Sequence, residues 1–283
     1  MTPALVQTWL TENNFGPITA SQPVAGGCIN QGTRLLVQTG HSFFLKTNRH
    51  CPSDMFQREA EGLAALAVPG APVVPHPLLV GRDFLLLEDL CPAPAVQDYW
   101  ILLGHQLATL HHVTSAQFGF EHDNYLGSTP QPNPRFEDGY QFFAEHRLIF
   151  QAERAGQGGW LSSDEIRQVI RLANRLPELI PPQPASLLHG DLWSGNLITD
   201  ARGQPALIDP AAHFGWGEAD LAMMTLFGNP PKAFFQAYQE VRPLSPGLEA
   251  RFPVYHLYHL LNHVNLFGRG YYRQVLSVLH QMG

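Results

Sequence analysis

The chain has 283 residues, enough to bury a sizeable core in one large domain or in two lobes. Its formal charge of −7, with no basic stripe, argues against a nucleic-acid partner, and no apolar run is long enough to span a bilayer. Three cysteines (Cys28, Cys51, Cys91) make an odd number without metal-like pair spacing, and the N-terminus lacks a signal-peptide pattern. A reduced, cytoplasmic monomer with no membrane partner is the expectation.

The first pattern in chain order is a glycine-containing turn, Gly26-Gly27-Cys28-Ile29-Asn30, leading into the alternating stretch Gly32–Val37. Thr39-Gly40 turns the chain and Ser42-Phe43-Phe44-Leu45-Lys46 returns as a second strand. A turn of this kind lets backbone N–H groups approach phosphates, which makes Gly26 to Asn30 candidate nucleotide contacts. Lys46 is one of only two lysines, the other being Lys232, and it stands where a strand would bury an aliphatic residue. Ser53 is placed to cap a helix from about 54 to 67. On that helix Phe56, Glu59, Leu63 and Leu66 share one face and Glu61 points away. A carboxylate in a buried stripe needs a partner, and Lys46 on the adjacent strand is the obvious one. A strand lysine braced by a helix glutamate is how kinases hold the non-transferred phosphates of ATP.

The run Asp83–Leu90 reads as an edge strand, and Cys91-Pro92-Ala93-Pro94 breaks regular structure. A hinge is expected at Glu88, Asp89 and Leu90, with backbone groups facing an adenine held between lobes. Helices follow over about Tyr99–His112, on both sides of Gly156–Gly159, over Glu218–Phe227 and over Phe252–Phe267.

The most informative segment lies among them: His189-Gly190-Asp191-Leu192-Trp193-Ser194-Gly195-Asn196, then Ile208-Asp209-Pro210. Leu197-Ile198-Thr199 and Pro205–Ile208 read as two short strands joined by a turn at Asp200–Gly203. The open end of such a hairpin brings Asn196 and Asp209 face to face, with Asp191 on the loop just before. That arrangement suits Mg²⁺ on ATP phosphates, held by Asn196 and Asp209. Asp191 is then positioned to orient and deprotonate a hydroxyl nucleophile.

With these motifs the chain resembles the fructosamine kinase (ketosamine-3-kinase) family, within the aminoglycoside-phosphotransferase-like kinases, over nearly its whole length. Leu187–Asn196 is similar to the family's catalytic loop, Trp193 included, and Asp209-Pro210-Ala211 to its metal-binding segment. The stretches Asn124–Asn133 and Tyr258–Gly268 also match. Choline, homoserine and aminoglycoside kinases share the His-Gly-Asp…Asn skeleton, so the combination is more specific than the loop alone. Where the family pattern has Gly-His-Arg-Glu-Ala-Asp, this chain has Gly215-Trp216-Gly217-Glu218-Ala219-Asp220.

The resemblance implies an α+β, two-lobed protein-kinase-like fold. A small β-rich lobe would span residues 1–90 and a larger, mainly helical lobe residues 91–283. It implies phosphorylation of the 3-hydroxyl of a ketosamine, free or protein-bound, as a deglycation reaction, with Trp193, His213 or Trp216 walling the sugar. The alternatives are another small-molecule hydroxyl kinase, or a silent ATP-binding protein on the same fold. His256, His259 and His263 fall at helical spacing, but without a further ligand nearby they read as wall or core residues rather than a zinc site.

Overall fold

The computed structural model describes residues 2–24 and 29–282. The expected phosphate turn at Gly26, Gly27 and Cys28 lies outside them; Ile29 and Asn30 lie within. An N-terminal helix, α1 (Ala4–Glu12), precedes strands β1 (Ile18–Val24), β2 (Gln31–Val37) and β3 (Ser42–Thr47). Helix α2 (Met55–Leu66) follows, then β4 (Pro77–Val80) and β5 (Phe84–Glu88). The strands form one antiparallel sheet in the order β1-β2-β3-β5-β4.

The period of two sorts side chains onto the two faces of this sheet. Phe43 and Leu45 of β3, with Phe84 and Leu86 of β5, pack against Val6 and Leu10 of α1. Leu85 and Leu87 point the other way, onto Phe56, Ala60 and Leu63 of α2. Lys46 takes the same alternation as Phe44 and so faces α2 rather than α1. Each fully buried Leu or Phe contributes about 1.5–3 kcal/mol, so both faces of the sheet add to its stability.

Two sequence expectations need correction here. The Phe84–Glu88 strand is interior, between β3 and β4, and β4 forms the edge. Pro77 at the start of β4 fits an edge, since proline cannot donate to a ladder. Nor does Ser53 cap α2. Its N-cap is Asp54, which makes no side-chain cap, because its carboxylate accepts from Tyr125 Oη at 2.7 Å and pairs with Arg58.

After Glu88 the chain runs irregularly to α3 (Tyr99–His111). The second half is helical, around a long helix over Leu248–Phe267 with the Gly217–Leu226 helix packed against it. Gly104 lets α3 approach the Lys232–Val241 helix: a Cβ there would lie 2.5 Å from the carbonyl oxygen of Phe234. Among the described residues no helix is long and apolar enough to cross a membrane.

The predicted hairpin forms, with Leu197 paired to Leu207 and Thr199 to Pro205. It ties the two halves together. Leu207 N–H donates to Val73 on the segment between α2 and β4 at 2.7 Å. Ala93 and Val96 of the linker donate to the carbonyls of Asp200 and Gly203 in its turn, at 3.1 and 3.0 Å.

Candidate active site

The strand Ala185–Leu188, paired with His213–Gly215, delivers the chain to His189 at the foot of the cleft. Two devices fix the loop that follows. Gly190 adopts φ +81°, and a Cβ there would meet the carbonyl oxygen of Ala211 at 2.2 Å, so no other residue fits. Buried Asp220 accepts the backbone N–H groups of His189 and Gly190 at 2.7 and 2.9 Å, and His111 Nε2 stands 3.3 Å from it. His111 Nδ1 is in turn 2.8 Å from Tyr238 Oη.

This loop places Asp191 beside the open end of the hairpin. Asn196 Nδ2 donates to the Asp191 carbonyl at 2.8 Å and to its Oδ2 at 3.3 Å. Ile208 N–H donates to the Asn196 carbonyl at 3.1 Å, closing the hairpin so that Asp209 follows directly. Asp209 stands at φ +57°, in the left-handed region that costs a non-glycine residue of order 1 kcal/mol. That turn aims its carboxylate across the cleft, where Lys46 Nζ pairs with both Asp209 Oδ1 and Glu59 Oε1.

Electrostatics follow from this geometry. Burial alone would lower the Lys46 pKa, but Asp209 and Glu59 outweigh it and hold the ammonium above its ordinary value. Burial raises Glu59 despite the opposing pull of Lys46. Asp191 is pushed up to about 7, first by burial and then by the neighbouring Asp209 charge, against the hydrogen bond from Asn196. A carboxylate poised near neutrality is suited to taking a proton from a hydroxyl.

These groups line one cavity of about 850 Å³ between the sheet and the helical half. It gathers Lys46, Glu59, Asp191, Trp193, Asn196 and Asp209 together with Ile29, Asn30, Glu88, Asp89 and Leu90. Asp89 is bound through its side chain to Arg34 (Nε–Oδ2 2.6 Å). The Leu90 backbone makes no hydrogen bond to any described residue. Leu126, Phe227, Asn262, His263, Phe267 and Tyr271 line it as well.

Two predicted sugar-wall residues do not reach this cavity. His213 is buried, with Nδ1 3.0 Å from the Ala211 carbonyl, and burial lowers its pKa to about 3. Trp216 is 3% exposed among Phe118, Tyr140, Phe143 and Tyr255. Both sit just after Asp209 in sequence, but pairing of His213–Gly215 with Ser186–Leu188 carries the chain inward at that point. Gly217, the other departure from the family pattern, packs near His111, where a Cβ would lie 3.1 Å from the ring Nδ1. Trp193 does line the cavity.

Sequence reasoning missed Asp220, Phe227 and Tyr271, and read His263 only as a wall or core residue. Asp220 carried a usable signal, because Asp220-Leu221-Ala222-Met223-Met224 sets a carboxylate in an apolar helix, the same anomaly that identified Glu59. The three helix histidines form no metal cluster; no group of three or more His, Cys, Asp or Glu side chains able to hold a metal occurs among the described residues.

The chain matches the family model for fructosamine kinase over residues 2–282. It is 44% identical over 263 residues to a probable ketoamine kinase of Synechocystis sp., covering 91% of this chain and 88% of that one. It is 38% identical over 284 residues to a chloroplastic protein-ribulosamine 3-kinase of Oryza sativa subsp. indica, covering 97% and 82%. A crystal structure from Thermobifida fusca, provisionally named a fructosamine-3-kinase, superposes with a TM-score of 0.89 at 32% identity and 98% coverage of both chains. The loop that carries Asp191, the Asn–Asp hairpin, the buried Lys–Glu pair and this whole-length likeness agree: the chain belongs to the fructosamine kinase family.

Proposed function

We propose that the chain is an ATP- and Mg²⁺-dependent kinase that phosphorylates the 3-hydroxyl of ketosamines, the adducts of an amine with a ketose carbon skeleton. The phosphorylated product is labile and frees the amine, which makes the activity a deglycation reaction. The observation that carries this reading is the convergence of Asp191, Asn196 and Asp209 with the Lys46–Glu59 pair on one inter-lobe cavity.

The donor set fits a hard divalent cation brought in on nucleotide phosphates. Asn196 and Asp209 offer one amide and one carboxylate oxygen, and Mg²⁺ sites of this kind are completed by phosphate oxygens and water. When bound, the cation neutralises charge on the transferring phosphoryl group. Lys46, held by Glu59, supplies a second positive charge on the phosphate side of the cleft. Glu88 to Leu90, whose Leu90 backbone bonds to none of the described residues, suit the adenine edge. Asp191 Oδ2 is tied to Asn196, which leaves Oδ1 to accept the hydroxyl hydrogen and hold the nucleophile in line. Proton transfer of this type contributes about 10²–10⁴-fold in rate. Trp193, two residues on, offers an aromatic face to the sugar.

ATP consumption with Mg²⁺ against fructosamines and ribulosamines, with Asp191→Asn as control, tests the reading. Ketosamine-dependent turnover lost in the variant supports it. Turnover on an aminoglycoside or choline-type acceptor alone refutes the substrate assignment and keeps the kinase. Absence of turnover on every hydroxyl acceptor, with ATP still bound, leaves only a silent nucleotide-binding protein.

A further inference from the structure

One side of the cavity is lined by a cluster of touching rings, Trp193, Phe227, His263, Phe267 and Tyr271. The rings meet as adjoining walls rather than as a stack: Phe227 stands at 82° to Trp193 and at 80° to Tyr271. His263 closes the group, its ring centroid 5.0 Å from Phe227 and 4.8 Å from Tyr271. The helix that carries His263 also carries His259 one turn earlier, whose Nδ1 is 4.0 Å from Asp191 Oδ1. Trp193, two residues after Asp191, joins the same ring cluster through Phe227, so the box and Asp191 line one cavity.

His263 has a fixed tautomer. Its Nδ1 lies 2.7 Å from the His259 carbonyl oxygen. A carbonyl only accepts, so Nδ1 carries the hydrogen, and in the neutral ring Nε2 is left as a lone-pair acceptor. Burial, set against the bond to that carbonyl, keeps the imidazole below its ordinary pKa and so neutral at pH 7. Nε2 makes no hydrogen bond to any described residue.

No spare carboxylate serves this side. Of the acidic residues that line the cavity, Glu59 and Asp209 are paired with Lys46 and Asp89 with Arg34, and Glu88 lies at the hinge, 3.3 Å from His76 N–H. Only Asp191 is near, and it faces the hydroxyl. In a ketosamine three carbons separate the amine nitrogen from the 3-hydroxyl oxygen. Seating that hydroxyl on Asp191 thus puts a protonated amine beside the aromatic box, where ring faces attract a cation and a neutral imidazole accepts one of its N–H groups.

We propose that His263 Nε2, with the ring faces of Phe227 and Tyr271, receives the protonated amine nitrogen of the substrate and makes the enzyme selective for charged over neutral sugar conjugates. The proposal rests on the ketosamine reading above and names the subsite that recognises the amine.

Two acceptors with the same 3-hydroxyl separate the effects: 1-butylamino-1-deoxyfructose, which is cationic, and its uncharged ether isostere 1-O-butylfructose. The wild-type enzyme is expected to favour the amine by about 2- to 30-fold in kcat/KM, mostly through KM. His263→Leu and Tyr271→Leu should each pull the amine-to-ether ratio toward one, and His263→Gln, which keeps an acceptor oxygen, should restore part of it. A wild-type ratio of one overturns the subsite while leaving the kinase reading intact. So does a His263→Leu ratio unchanged while both acceptors weaken together, the mark of a merely structural side chain. If His263→Leu does not fold, the wild-type ratio and Tyr271→Leu decide. Failure of the wild type to phosphorylate either acceptor removes the ketosamine reading itself, and the subsite with it.

Discussion

Replacing Asp220 with Asn tests whether the loop that carries Asp191 is held from behind. The side chain is 1% exposed, and its two oxygens divide three contacts. Oδ1 takes the Gly190 N–H at 2.9 Å; Oδ2 takes the His189 N–H at 2.7 Å and faces His111 Nε2 at 3.3 Å. Asparagine keeps the shape but has one acceptor oxygen. If that oxygen keeps the pair of contacts, the amide NH₂ is pressed against the Gly190 N–H, donor to donor. One hydrogen bond to a charged group is lost, worth about 1.5–3 kcal/mol, and a buried N–H is left unsatisfied at a further 1–3 kcal/mol. Partial relief comes from no longer burying a charge, so a net loss of about 2–4 kcal/mol is expected. Urea unfolding should show it as a lower midpoint with unchanged slope. Burial acts to raise the Asp220 pKa, but the bonds from His111 and the loop N–H groups outweigh it and leave a net depression. The contribution of a depressed carboxylate is present above the unfolded value and is lost as pH falls through the lower folded one. The deficit should therefore hold steady from pH 6 to pH 9. Because His189 and Gly190 lead straight into Asp191, kcat should also fall, by up to about 100-fold for a displacement near 1 Å. A deficit under about 1 kcal/mol together with full kcat would show that the loop does not depend on this brace.

Three other perturbations probe different parts of the same frame. Glu59→Gln should cut kcat/KM for ATP at least tenfold in steady-state assays, while unfolding free energy moves by only about 1 kcal/mol, since the change also relieves a carboxylate whose burial is costly. Arg251→Met leaves Glu218 buried with Tyr255 Oη, 3.0 Å away, as its one side-chain partner among the described residues, and should destabilise by about 3–5 kcal/mol in urea; adding Glu218→Leu should recover most of that. Asp191→Asn should remove a pH-dependent strain. The folded-state pKa of about 7 exceeds the usual value of 3.8, so the folded protein binds the proton more tightly and wild-type stability falls as pH rises from 4 to 7. Thermal melts of the metal-free protein should place the variant further above wild type at pH 8 than at pH 4.5, and an equal gap at both would contradict the shift.

How much of this site could be read beforehand depends on how far apart its parts lie in the chain. Asp191, Asn196 and Asp209 are fixed by one loop and one hairpin. The turn at Asp200–Gly203 sets the register that brings them together, with Gly203 N–H bonded to the Asp200 carbonyl at 3.0 Å. The Lys46–Glu59 pair needed only a strand, a helix and the cost of a buried carboxylate. Expectations failed where neighbours in sequence part in space. His213 and Trp216 follow Asp209 closely, yet strand pairing turns both into the core. Ser53 stood at a plausible cap position, but Tyr125, more than 70 residues on, claims the carboxylate of Asp54, the residue that occupies the cap.

The part that could not be read is the part that distinguishes one substrate from another. Phe227, His263 and Tyr271 come from the end of one helix, the last turns of a second and the start of a third. Spacing allows His263 to be read as a wall or core residue and singles out neither Phe227 nor Tyr271. Their meaning comes from three facts of packing: Phe227 stands near a right angle to Tyr271 with the tilted His263 ring against both, a backbone carbonyl fixes the His263 tautomer, and the other carboxylates of the cavity are engaged elsewhere. Phosphoryl transfer demands a few groups in nearly invariant relation, and short-range geometry can supply that. Recognition of the acceptor demands a surface, and here that surface exists only once the helices of the second half have packed. The same loop and hairpin can thus sit on chains with unrelated acceptors, and the acceptor must be argued from the aromatic side of the cleft rather than from the loop that carries Asp191.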